Sequence, residues 1–157
     1  MMSITRTPTE LRKLVDGLAR HPELWRQDVV FDASERQCSL IARTDTVEVW
    51  AVAWMPGQDT GFHDHDSSAA AIVVAEGAIV DERMALGAPT IAARHETGAV
   101  FTVDAGEIHR VRHTGDEPAI SIHAYSPPLD RMGTYAVGAG GRLVRQPVGG
   151  DQTLTAD

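Results

Sequence analysis

The chain has 157 residues, a length that suits one domain, and a domain of that size buries about 68–70% of its unfolded surface. A composition of 43% hydrophobic and 23% charged residues excludes disorder of the whole chain. With 14 Lys and Arg against 22 Asp and Glu the net charge is -8, which disfavours nucleic acid and anionic membrane surfaces as partners. No apolar run approaches the ~20 residues of a spanning helix, and the Met1 to Arg20 segment scatters charges among its apolar residues, unlike a signal peptide. Cys38 is the single cysteine, so no intrachain disulfide forms and a cytoplasmic, reducing setting is expected.

The first predicted element is a helix. Thr7-Pro8-Thr9-Glu10 supplies an N-cap, a proline at the first helical position and a glutamate three residues past the cap. Leu11, Leu14, Val15 and Leu18 follow at helical spacing and make one apolar stripe. His21-Pro22 ends it, and a short second helix is expected around Glu23 to Gln27. From Cys38 onward the period changes to two. Val47, Val49, Ala51 and Ala53 alternate with Glu48, Trp50, Val52 and Trp54. Further strands are expected at Ala69–Ala75, Ala78–Met84, Thr90–Arg94, Val100–Val103, Ile108–Arg112, Ala119–Tyr125, Thr134–Val137 and Arg142–Arg145. Turn residues separate them at Met55-Pro56-Gly57, Glu76-Gly77, Leu86-Gly87-Ala88-Pro89, Ala105-Gly106, Thr114-Gly115-Asp116 and Ser126-Pro127-Pro128. Many short strands after a helical start indicate a sandwich or barrel. Gly149 to Asp157 reads as a frayed tail.

The histidines are His21, His63, His65, His95, His109, His113 and His123. On a strand, residues two apart point to one face, so His63 and His65 project both imidazoles into one space. A third ligand from another strand would complete a facial set on a divalent metal, although an isolated pair of this kind also suits a plain surface. The wider spacing carries more. Gly57 precedes His63 by five intervening residues, His65 follows after one, Ala70 after four more and Gly77 after six more. Later come Gly98, Asp104, Gly106, His109 and His113. This resembles the two-part signature of the cupin superfamily, G-x5-H-x-H-x4-E-x6-G and G-x5-P-x-G-x2-H-x3-N, with Ala70, Asp104 and His113 in place of its Glu, Pro and Asn. Alanine cannot ligate, so the resemblance implies a neutral set of His63, His65 and His109, leaving the full 2+ charge of a metal for exogenous anions such as a thiolate. Imidazole ligands alone do not choose among Fe, Zn, Cu and Ni.

A narrower resemblance covers roughly residues 35 to 135. The run Ser121-Ile122-His123-Ala124-Tyr125-Ser126-Pro127-Pro128 behind His109-Arg110-Val111 is similar to the cysteine dioxygenase family of thiol dioxygenases. Glu48-Val49-Trp50, Trp54-Met55-Pro56-Gly57 and His63-Asp64-His65 support it. The resemblance implies ferrous iron on His63, His65 and His109, with Ser121, His123 and Tyr125 as a relay beside it. Positions 121, 123 and 125 share a strand face, so hydroxyl, imidazole and phenol can form a chain. Members that oxidise cysteine in animals join a cysteine to the tyrosine. That position is Ala70 here, so Tyr125 is expected to be unmodified. The family also grips the substrate carboxylate with an arginine on an early strand, where ungapped alignment places Leu40, with Cys38 where an aromatic residue is expected. A leucine cannot clamp a carboxylate, so a thiol other than free cysteine is expected. Arg36, Arg43, Arg83, Arg110, Arg112 and Arg131 are the candidates to replace the clamp.

Other residues have plainer readings. Asp64 and Asp66 are expected to be solvated, facing away from the ligand side. Trp50 and Trp54 are expected to pack in the core and Cys38 to act as a small apolar residue. Glu107 is a candidate to orient His109, and His113 reads equally as a surface histidine or a change near the metal. No P-loop, G-x-G-x-x-G, G-x-S-x-G or C-x-x-C motif is present.

The implied fold is mainly β: one cupin domain over 1–157, a double-stranded β-helix jelly-roll barrel over 36–146 with an N-terminal α-helical cap over 1–30 and a flexible tail over 147–157. The implied function is a non-haem Fe(II) thiol dioxygenase that adds O2 to a small thiol to give a sulfinate. The alternatives are a cupin metalloenzyme with another oxygenation or lyase reaction, and a non-catalytic cupin that binds a metal or small molecule. The expected partners are the thiol and O2, without nucleic acid or membrane, on a monomer or homodimer.

Overall fold

Thr7 caps the first helix as its sequence predicts, its hydroxyl accepting from the Glu10 amide at 3.2 Å. The computed structural model describes residues 5–85 and 87–149. Helix α1 (Pro8–Ala19) stops just ahead of His21-Pro22, and its stripe buries Leu11 and Val15. The expected second helix is instead two single 3-10 turns, Pro22–Leu24 and Arg26–Asp28. The segment between helix and barrel is too short and too polar to bury a face of its own. Trp25 anchors it, buried against α1 with its indole N–H donating to the Leu18 carbonyl.

Eleven strands follow among the described residues: β1 (Gln37–Arg43), β2 (Glu48–Trp54), β3 (His63–Asp64), β4 (Ala69–Glu76), β5 (Ala78–Arg83), β6 (Ile91–Glu96), β7 (Val100–Val103), β8 (His109–Arg112), β9 (Ala119–Ser126), β10 (Arg131–Val137) and β11 (Leu143–Gly149). They form a five-stranded sheet, β1-β2-β9-β4-β7, and a six-stranded sheet, β11-β10-β3-β8-β5-β6, antiparallel throughout. This meets the expectation of a two-sheet barrel with a helix outside it. β11 runs to Gly149, so the first three residues of the expected tail are strand, paired with β10. The rest of that tail, and Leu86 in the expected turn, lie outside the described residues. Ser126-Pro127 is a cis peptide.

The near-continuous apolar runs of the five-stranded sheet follow from burial of both its faces. Outward, Val49, Ala51, Ala71, Val73, Ile120, Ile122 and Ala124 pack beneath Leu11 and Val15 of α1. Inward, Val52, Trp54, Ala70, Ile72, Val74 and Tyr125 face the other sheet and meet Val111, Leu129 and Met132 there. At ~25 cal/mol per Å² of apolar area removed from water, these two layers supply the main drive to fold.

Candidate metal centre

His63 opens β3 and lies directly opposite His109 of β8, while His65 follows the strand's two-residue end. The strand is therefore shorter than the histidine pair, yet both rings turn inward. The three ring centroids lie 4.6 to 5.1 Å apart, and one nitrogen from each falls within 4.8 Å of the others. All three side chains are buried.

The hydrogen bonds fix which nitrogen faces inward. A carbonyl oxygen only accepts, so His63 Nδ1–H donates to Gly61 O at 2.9 Å. His109 Nδ1–H donates to Asp81 Oδ1 at 2.7 Å. Both rings keep an Nε2 lone pair for the shared space. His65 Nε2 lies 3.3 Å from His109 Nε2. Two imidazole nitrogens at about 2.1 Å from one ion, at right angles or tetrahedral, stand roughly 3.0–3.4 Å apart. The donor set thus fits a divalent metal. Burial and mutual proximity push the His65 and His109 imidazoles well below their ordinary pKa, and burial lowers His63. Neutral rings are what ligation requires.

A narrow cavity lies beside these rings. Arg36, Cys38, Trp54, His123, Tyr125 and Met132 complete much of its wall, and no carboxylate is among its lining residues. Of the six arginines weighed from sequence, Arg36 alone lines it. Its guanidinium sits 5.3 Å from the Trp54 ring and donates to the Asp59 carbonyl. Leu40 is 45% exposed and outside the lining. Arg36 and Cys38 sit two residues apart and line one wall, whereas β1 shifts register beyond Leu40. The inference drawn from a leucine in the clamp position therefore falls away.

Ser121, His123 and Tyr125 lie along the inner face of β9, as their alternation predicts. Trp54 Nε1–H donates to Ser121 Oγ at 2.8 Å. That leaves the serine hydrogen to go to His123 Nε2, 2.6 Å away. His123 Nδ1–H then donates to Tyr125 Oη at 3.2 Å, so the phenol hydrogen is free to point into the cavity. Burial pushes His123 down to about 3, so it is neutral at ordinary pH. Burial likewise pushes the Tyr125 phenol well above its usual range and keeps it a donor. Ala70 pairs with Tyr125 across β4 and β9.

Two groups escaped the sequence reading. Asp81 of β5 holds His109 and is itself held by Arg83 Nε at 2.6 Å. Arg83 also bonds Glu107 and the Thr102 carbonyl. Glu107 thus reaches His109 only through Arg83 and Asp81. Asp64, expected to be solvated, is 3% exposed and takes hydrogen bonds from Tyr135 and Arg145. Burial alone would raise its carboxyl pKa, but those bonds outweigh it and hold the group well below the usual carboxylate range. Asp66 is exposed. Trp54 is fully buried as expected, and Trp50 is partly buried, donating to Glu48. His113 is buried but does not line the cavity.

Comparison with known proteins speaks to the family and the fold. The family model of cysteine dioxygenase type I matches residues 7–137. A cysteine dioxygenase type 1 of Danio rerio is 23% identical over 137 residues, covering 80% of this chain and 68% of the relative. Among solved structures, TT1209 of Thermus thermophilus matches with a TM-score of 0.59 at 19% identity, over 66% of this chain and 93% of that one. A double-stranded β-helix protein of Klebsiella pneumoniae matches with a TM-score of 0.58 at 18% identity, over 76% and 91% of the two chains. The fold is a cupin-type double-stranded β-helix, and no helix among the described residues is long and apolar enough to cross a membrane.

Proposed function

The chain belongs to the cysteine dioxygenase type I family, and from that premise we propose that it is an iron-dependent thiol dioxygenase acting on a small thiol that carries a carboxylate. The observation that carries the proposal is the face of three buried, neutral imidazoles with Nε2 atoms turned to one point. His63, His65 and His109 hold the ion. Bound there, divalent iron lowers the pKa of a thiol and opens the otherwise spin-restricted reaction with O2.

The chain's own residues do the rest. With an ion of 2+ charge, Arg36 and no acid in the lining, the cavity favours a dianion, a thiolate at one end and a carboxylate at the other. Arg36 binds that carboxylate and sets the reach from headgroup to sulfur. Apolar neighbours such as Val52, Val111 and Met132 exclude water and strengthen each polar contact. Tyr125 holds its hydroxyl hydrogen toward the reacting groups. His123, neutral and fixed as the Nδ1–H tautomer, orients that hydroxyl rather than exchanging its own proton. The balance is RSH + O2 giving RSO2H. Both oxygen atoms go to sulfur, which supplies the four electrons, so no external reductant is needed.

The test is a panel of cysteine, 3-mercaptopropionate and cysteamine with Fe(II)-loaded protein under isotopically heavy O2. Sulfinate carrying both heavy atoms is expected from the two carboxylated thiols, and cysteamine, which lacks the carboxylate, is expected to be poor. Oxygen uptake with no oxidised sulfur in any product, or no uptake with any thiol, overturns the proposal.

A further inference from the structure

Asp64 stands between His63 and His65 in sequence, and its carboxylate is saturated. It accepts from Asp66 N–H at 2.9 Å, Gly133 N–H at 3.2 Å, Tyr135 O–H at 2.5 Å, and Arg145 at 2.9 Å from Nε and 3.0 Å from the terminal nitrogen. Arg145 belongs to edge strand β11 and reaches across β10 to β3, two strand spacings or roughly 9–10 Å. The path is open because residue 133 is glycine. A Cβ there would lie 2.2 Å from Arg145 Nε and 2.6 Å from its Cζ. The guanidinium is therefore laid flat over Gly133, whose own amide bonds the same carboxylate.

Resting on the reading that the three imidazoles bind a metal, we infer that Arg145, seated on Gly133, positions the His63-to-His65 segment through Asp64, so that strand β11 governs how firmly the site retains its ion. The side chains of β11 are mostly exposed, so its tie to the barrel comes from the ladder with β10 and this ion pair more than from core packing. Without Arg145, a buried carboxylate loses its counter-charge and is driven to turn toward water. A carboxylate that turns away also releases the Asp66 and Gly133 amides, which tie the backbone next to His65 to β10. Partners outside the ligand shell act this way at metal sites in general, and their loss costs about 10–100-fold in affinity.

The experiment uses full-length protein loaded with Co(II), whose visible absorption reports ligand geometry. Release to excess chelator is timed well below the melting temperature. R145A and G133A are each expected to release Co(II) at least about tenfold faster than wild type and to shift the absorption, with R145K between. G133A leaves every charge in place and only displaces the guanidinium, so it carries the test if R145A fails to fold. R94A, which breaks the Arg94–Glu96 pair on the opposite edge strand β6, is expected to match wild type. Wild-type release rates and spectra in folded R145A and G133A overturn the inference, even if both melt earlier. A wild-type protein that retains no Co(II) removes the three-imidazole reading itself, a failure distinct from the first.

Discussion

Arg36 immediately precedes β1 and Leu40 lies within it, and only Arg36 of the two lines the cavity. A charged hydrogen bond contributes about 1.5–3 kcal/mol, so Arg36→Leu is expected to raise KM for a carboxylated thiol by about tenfold to a hundredfold, with kcat changed much less. Leu40→Arg is expected to leave both unchanged. Steady-state oxygen uptake checks the pair, and a lower KM or a higher kcat from Leu40→Arg would put the clamp back at position 40. His123 yields a prediction about stability. Its folded pKa of about 3 lies below the unfolded value of about 6.5. As pH falls through the unfolded value the unfolded chain takes up the proton first. The contribution of His123 is therefore complete above about pH 6.5 and is lost between there and about 3, by up to roughly 1.4 kcal/mol per pH unit. For metal-free protein, the urea midpoint of His123→Gln is expected to fall less steeply than wild type between about pH 6.5 and 5. Equal slopes would mean that the imidazole is not held neutral.

Gly77, in the tight turn from β4 to β5, has φ +80, and a Cβ there would meet Ala119 Cβ at 2.9 Å and the Pro118 carbonyl at 3.0 Å. Gly98, at φ +92, faces open space. Gly98→Ala is expected to cost about 1 kcal/mol from backbone strain alone, and Gly77→Ala at least about 2–3 kcal/mol because backbone and β9 must also shift. Urea unfolding of the metal-free proteins checks the difference. Both glycines belong to the sequence signature, but the signature does not say which also marks a close approach of chains. The same limit governs the rest of the site. The alternation of β9 put Ser121, His123 and Tyr125 on one face, and the capping pattern placed α1, because those signals are local. Asp81 was invisible because it lies 28 residues before His109 and reaches it only through the β5–β8 pairing. Asp64 looked solvated because alternation predicts which way a side chain faces, not what a distant edge strand lays over it. The ungapped alignment put the clamp at Leu40 because spacing alone does not show which β1 side chains enter the cavity.

The two sheets divide the proposed site between them. His63, His109 and Asp81 belong to the six-stranded wall, with His65 just past the end of β3, and Trp54, Ser121, His123 and Tyr125 belong to the five-stranded wall facing it, with Arg36 just ahead of β1. Each hydrogen bond that orients an imidazole or a hydroxyl stays within its own wall. Holding the ion and handling the substrate should therefore fail separately. Asp81→Asn removes the charge behind His109 and is expected to lower Co(II) affinity by about 10–100-fold, while turnover per bound iron falls far less. Tyr125→Phe removes only the hydroxyl at the end of the donor chain. It is expected to keep wild-type metal content and lower kcat by about a hundredfold. Metal analysis beside oxygen uptake reads both quantities on each variant. If Tyr125→Phe sheds metal as readily as Asp81→Asn, the walls are not independent, and the tyrosine is holding the imidazole face in shape through its edge-on contact with His65, whose ring centroid lies 5.0 Å from its own.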